Sequence, residues 1–143
     1  MESRTLANDM SELSGLAELI SEGAAKMGAP ERCVFELTLA LEEVFTNIVK
    51  YAYEDAAPHR IRVELGPTDP DTLLIRFEDD GRPFDPTRAA DPDLSLPVEE
   101  RPVGKLGIFL VKKIMDSVTY ERVEGKNILT LLKKVRPEAC IIG

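Results

Sequence analysis

Glu43 and Asn47 stand four residues apart in the stretch Leu39 to Tyr53, LALEEVFTNIVKYAY. On a helix, that spacing stacks a carboxylate and a carboxamide on one shoulder. The carboxylate can take a proton, and the amide oxygen can ligate a hard cation such as Mg²⁺. Asp79 follows an apolar run and precedes Asp80 and Gly81. A carboxylate there can accept a hydrogen bond from an exocyclic amine such as that of adenine, and the glycine lets a flat ring approach the backbone. Gly104, Lys105 and Gly107 open a further apolar segment. Free backbone N–H groups at a helix start favour a phosphate, and Lys105 adds a point charge. Each feature alone also fits a plainer reading: a solvated helix shoulder, an ordinary turn, a helix start that contains glycines.

The elements that must position these residues follow from periodicity. Leu37, Leu41, Val44, Ile48 and Ala52 recur at steps of three and four, which predicts one amphipathic helix from Pro30 to Tyr53. Before it, Arg4–Ala7 reads as a short edge strand. Asn8 or Asp9 reads as a cap, and Met10, Leu13, Leu16, Leu19 and Ile20 as a helix that Gly28 stops. Arg60–Leu65 alternates polar and apolar residues, Gly66–Asp71 has turn chemistry, and Leu73–Phe77 is a second strand, so the pair reads as an antiparallel hairpin. From Asp79 to Pro102 the chain is rich in proline and charge, a loop of unusual length for a compact domain, as lids and binding loops often are. Ile108–Met115 predicts a short, largely buried helix. Ser117–Val123 and Asn127–Lys133 form a second hairpin across a turn at residues 124–126, and residues 136–143 read as a loose tail. Helices grouped against hairpins imply an α+β fold, a two-layer sandwich of three helices on a mostly antiparallel sheet.

Composition narrows the functional classes. A length of 143 residues suits one domain, expected over residues 1–135 with a lid at about 86–103. The formal net charge of −8 argues against a nucleic-acid backbone or an anionic membrane surface as the main partner. A single histidine, His59, excludes a zinc site built on two histidines. Cys33 and Cys140 are far apart in sequence and form no metal-ligand spacing or disulfide framework. With no signal-peptide pattern and no apolar run of membrane-spanning length, the cytoplasm is the expected compartment.

The combination is more specific than its parts. Glu-x-x-x-Asn on a helix, Asp-x-Gly after a strand, a long loop, then Gly-x-x-Gly opening a helix resembles, in this order, the GHKL (Bergerat-fold) superfamily, the ATP-binding domains shared by gyrases, chaperones and histidine kinases. Within it the chain resembles the small bacterial anti-sigma factors that are also serine-protein kinases. Residues 42–53, 79–86 and 104–116 look like that branch's three nucleotide boxes, and residues 120–133 resemble its closing hairpin.

The resemblance implies roles by position. Asn47 would ligate the Mg²⁺ that bridges the ATP phosphates, and Glu43 would be the general base toward the attacking hydroxyl. Asp79 would bind the adenine amine, with Gly81 permitting close approach. Gly104 and Gly107, with Lys105, would shape the phosphate end. Two positions depart from the pattern: Pro83 stands where the superfamily often has a second glycine, and Asn127 stands near where the related kinases often carry a threonine, so an adenine-side hydrogen bond falls to Asn127. The implied function is a Mg²⁺-ATP-dependent serine-protein kinase and anti-sigma factor. It would phosphorylate a serine of a STAS-type anti-anti-sigma partner, hold a sigma factor as the second partner, and act as a homodimer. The alternative is an ATP-gated binding module that sequesters a protein partner without significant transfer.

Overall fold

The structure is a computed structural model and describes residues 1–88, 95 and 105–140, without the side chains of Lys105 and Leu106. Gly104 and most of the expected lid lie outside the described residues. Among the described residues the order is β1 (Glu2–Ala7), α1 (Leu13–Lys26), α2 (Glu31–Tyr51), β2 (Arg60–Asp69), β3 (Thr72–Asp79), α3 (Lys105–Ile114), β4 (Ser117–Val123) and β5 (Lys126–Lys134), with short 3₁₀ turns between. The strands form one five-stranded sheet in the order β1-β2-β3-β5-β4, antiparallel at every pairing. This is the α+β sandwich that the patterning predicts.

Alternation along the strands decides which face is covered. Ile61, Val63 and Leu65 of β2, Leu73, Ile75 and Phe77 of β3, and Leu129 and Leu131 of β5 are buried and pack under Leu16, Leu19 and Ile20 of α1, Leu37, Leu41, Val44 and Phe45 of α2, and Val111 and Ile114 of α3. Register aligns them in rows, such as Val63–Phe77–Leu129–Tyr120 across β2, β3, β5 and β4. Burial of such side chains is worth about 1.5–3 kcal/mol each. The opposite face is polar. Arg62 lies 3.7 and 3.9 Å from Glu64 and Glu78, and Arg76 lies 3.9 Å from Glu64.

The boundaries move where local chemistry outcompetes pattern. Pro30 is extended, at ψ 157°, and caps α2 rather than beginning it, and α2 ends at Tyr51 with Ala52 as its C-cap. The stretch Gly66–Asp71 is not all turn. Gly66 and Pro67 pair with Leu74 and Leu73, and β2 reaches Asp69 through a bulge, because the apolar partners on β3 reward continued pairing.

The loose-tail expectation is corrected as far as Cys140. Lys133 points inward on β5 and is 1% exposed, so its ammonium must find partners. It donates to the carbonyls of Ile114 and Ala139, both at 2.9 Å, and lies 3.5 Å from the buried Glu36 of α2. Arg32 donates to the Pro137 carbonyl at 2.8 Å. Cys33 and Cys140 form a disulfide with a Cα–Cα distance of 5.4 Å, which corrects the reading of two unpaired cysteines. Separation along the chain says nothing of separation in space, and β5 returns the C-terminal segment to the start of α2.

Two stability experiments follow. The disulfide closes a loop of sequence separation 107, so its reduction, or Cys140→Ser, should cost about 2–5 kcal/mol in urea unfolding; an unchanged midpoint would refute a fastening role. Lys133→Met alone should cost about 3–5 kcal/mol by leaving Glu36 as a buried charge, and Glu36→Leu added to it should recover most of that loss. Equal losses in the single and double variants would contradict the pairing.

Candidate nucleotide site

The site begins where α2 stops. The last carbonyls of a helix have no partner within it. Here the Arg82 guanidinium Nε donates to the Tyr51 carbonyl at 2.7 Å, and the Arg82 backbone N–H donates to the Ala52 carbonyl at 2.8 Å. The loop after β3 is thereby stitched to the end of α2. Gly81 makes the approach possible: a Cβ there would lie 2.5 Å from the Ala52 carbonyl oxygen and 2.6 Å from the Ala52 Cβ. Its lack of a side chain is thus required by packing against the helix end. The loop after α2 is pinned to the same place. The His59 ring stacks on Tyr53 with centroids 4.1 Å apart, and His59 bonds Asp55 at 2.7 Å and lies 3.4 Å from Asp80. The Asp55 hydrogen bond is the main reason that His59 titrates above its ordinary value.

Asp79 ends β3 on the covered face and is 5% exposed. Register places it abreast of Asn127 on β5, which in turn faces Arg122 on β4. Asp79 Oδ1 accepts from the Gly81 N–H at 2.9 Å and from Asn127 Nδ2 at 3.0 Å. Burial pushes the Asp79 carboxyl above the usual carboxylate range, and the hydrogen bonds from Asn127 and Gly81 pull it back in part.

Above this row lies an open cavity of about 670 Å³, a volume that includes the open space at its mouth. Val44, Ile48, Ile108, Val111 and Leu129 form apolar walls, and Asn47, Asp79, Lys112, Tyr120 and Asn127 supply polar groups. Phe84 and Pro86, at the start of the expected lid, line its edge. Glu43 lies one helical turn before Asn47, against the opening turn of α3. A Cβ at Gly107 would collide with the Glu43 carboxylate, so the absence of a side chain at 107 is what admits Glu43 there.

Asn47, Asp79 and Asn127 therefore line one cavity, with Gly81 packed against Ala52 and Glu43 and Gly107 in contact with each other. Gly107 falls in the first turn of α3, which begins at Lys105, rather than ahead of the helix. Gly104 and the Lys105 side chain lie outside the described residues. Tyr120, Arg122, Arg82 and Lys112 were not singled out from sequence. Period-two alternation in β4 holds the signal for two of them, because it puts Tyr120 and Arg122 on the same face as Val118. Arg82 carries no such signal, since its role is set by where a helix ends.

Residues 6–133 match the profile of the family described as histidine kinase-like ATPase domain. The chain is 33% identical over 108 residues to the serine/threonine-protein kinase BtrW of Bordetella bronchiseptica, covering 76% of this chain and 75% of that protein. It is 30% identical over 123 residues to the serine-protein kinase RsbW of Bacillus cereus, covering 82% and 76%. Among solved structures, that of the RsbU and RsbW domains of a Mycobacterium tuberculosis protein superposes with a TM-score of 0.62 at 13% identity, over 96% of this chain. This chain spans 34% of that longer one, and the likeness concerns the fold alone. With the fold, the cavity and these relatives together, the chain belongs to the histidine kinase-like ATPase domain family, in its branch of small serine-protein kinases.

Proposed function

We propose that the protein is a Mg²⁺-ATP-dependent serine-protein kinase and anti-sigma regulatory factor whose acceptor is a serine on a STAS-type anti-anti-sigma protein. The observation that carries this reading is that one cavity is lined both by the buried Asp79 carboxylate and by Asn47, with Glu43 one helical turn before Asn47 and against Gly107 of α3. The two relatives named as serine-protein kinases support it. No described helix is long and apolar enough to cross a membrane. The cytoplasm is the compartment that goes with the proposed activity. A sigma factor as second partner and a homodimeric state belong to the same proposal.

Each residue has a task in this reading. Asp79 accepts a hydrogen bond from the adenine amine, and the apolar walls take the ring. Glu43 accepts the proton of the attacking serine hydroxyl. The phosphate end falls to Gly104, Lys105 and Gly107, near the start of α3. The donor set suits Mg²⁺ arriving with the nucleotide: Asn47 offers a carboxamide oxygen at the cavity wall, and among the described residues no three His, Cys, Asp or Glu side chains form a metal cage. A hard cation held through one protein oxygen, phosphates and waters is an ordinary arrangement. When bound, Mg²⁺ supplies neutralisation of the phosphate charge. The chain's own contribution is positioning and the exclusion of water, which carry most of phosphoryl transfer.

Calorimetric titration of Mg²⁺-ATP tests the binding half. Asp79→Asn, which presents an amide to the amine, should weaken binding by about tenfold or more; equal affinity would remove Asp79 from the base site. Transfer of labelled phosphate to a candidate anti-anti-sigma protein tests the chemical half. Glu43→Gln should lower it by about 10²–10⁴-fold while ATP affinity stays within a few-fold. Nucleotide-dependent partner binding without any label in the wild type would favour the ATP-gated binding module instead.

A further inference from the structure

Asn127 has one acceptor oxygen and two donor hydrogens in its side chain. All are committed. Its Oδ1 accepts from the Tyr120 hydroxyl at 2.5 Å and from Arg122 Nη1 at 3.0 Å. Its Nδ2 donates to Asp79 Oδ1 at 3.0 Å and to the Arg82 carbonyl at 2.8 Å. The amide cannot be turned over, because a guanidinium is a donor only and must face the oxygen. Arg122 Nη1 also donates to the Gly81 carbonyl at 2.8 Å, so the same guanidinium fixes both the amide and the loop beneath the base site. Asp79 Oδ1 is doubly used, by Asn127 and by the Gly81 N–H. Among the described residues both of these bonds fall on Oδ1 rather than Oδ2, and Asp79 is one of the residues that line the cavity.

We propose that Asn127 is a positioning residue and does not itself meet the base: clamped by Tyr120 and Arg122, it commits one oxygen of Asp79 and presents the other as the single side-chain acceptor that reads an exocyclic amine. This rests on the nucleotide reading above and deepens it, since it assigns base discrimination to one oxygen held by a three-residue clamp. Charge supports it. Burial raises the Asp79 carboxyl, the Asn127 amide and the Gly81 N–H lower it in part, Asp80 raises it and Arg122 lowers it. The half-buried Tyr53 phenol stands nearby, raised by burial and by the Asp79 charge. Without the Asn127 donor the carboxyl should take up a proton more readily, and a protonated Asp79 can donate to a base carbonyl instead of accepting from an amine.

The test compares Mg²⁺-ATP with Mg²⁺-ITP, whose base carries a carbonyl where adenine carries its amine, by calorimetry across pH. The wild type should prefer ATP by about tenfold or more. In Asn127→Ala the preference should fall to within about threefold, and ATP affinity should be lost at a higher pH than in the wild type as pH is lowered. Tyr120→Phe keeps the ring, removes one of the two donors to Asn127, and should shift both readouts the same way by a smaller factor; it carries the test if Asn127→Ala does not fold. ATP and ITP weakening together at an unchanged ratio would overturn the proposal, as would a lost preference with an unmoved pH profile, the mark of a direct base contact. If the folded wild type binds neither nucleotide, the nucleotide reading itself falls; if it binds ATP selectively and only the variant predictions fail, this proposal falls alone.

Discussion

The site depends on how the end of one helix is closed. α2 carries Glu43 and Asn47, the pair proposed for the phosphate chemistry, and it would otherwise end with bare carbonyls beside the sheet. Arg82 closes it twice, through its backbone N–H to Ala52 and its guanidinium to Tyr51. Its own carbonyl then accepts from Asn127, so a continuous path of hydrogen bonds runs from the helix end through Arg82 and Asn127 to Asp79. Gly81 is the steric condition for that path. The helix that positions Asn47 and the strand that positions Asp79 are locked in relative height by this junction, which fixes the distance between the two ends of the cavity.

The electrostatic economy of the site follows from the same row of residues. An acidic protein with a net charge of −8 has no general attraction for a polyanion, so any affinity must be local. At the Asp79 end the locality is achieved by burial. A carboxylate half enclosed by apolar walls loses hydration, and that cost makes an incoming N–H donor more valuable than it would be in water. The hydrogen bonds from Asn127 and Gly81 offset part of the cost of burying its charge. At the other end the first turn of α3 meets the Glu43 carboxylate at Gly107, and the N–H groups of a helix's first turn are a complement to negative charge.

Much of this was legible in the sequence, because periodicity records burial directly. The 3.6-residue repeat from Leu37 to Ile48 and the alternation in Arg60–Leu65 each report one covered face, and both elements form where expected. The Glu43, Asn47 and Asp79 positions were visible because their spacing maps onto one helix shoulder and one strand end. What stayed hidden was long-range. Nothing local shows that Arg82 caps a helix thirty-odd residues earlier in the chain. For Asn127, sequence offers an adenine-side hydrogen bond but does not show that its amide bonds Asp79, Arg82, Tyr120 and Arg122. The Cys33–Cys140 pair was missed for the same reason: proximity there is a property of sheet register and not of spacing.

The sheet uses its inward polar positions at both ends and leaves the middle apolar. Moving along β5, Asn127 serves the cavity, Leu129 and Leu131 fill the core, and Lys133 serves the opposite edge. There Lys133 binds the end of α3 through Ile114, the C-terminal segment through Ala139, and α2 through Glu36. A buried lysine is a poor source of net stability compared with a leucine, but it can meet three separate elements at defined atoms, which an apolar side chain cannot. The result is that α2 and α3, whose facing sides make the cavity, are tied at the far end by Lys133, while the near end of α2 is tied by Arg82. A helix that forms one wall of a cleft keeps its place only if both of its ends are held, and α2 is held at one end by Lys133 beside Glu36 and at the other by Arg82 on its last carbonyls.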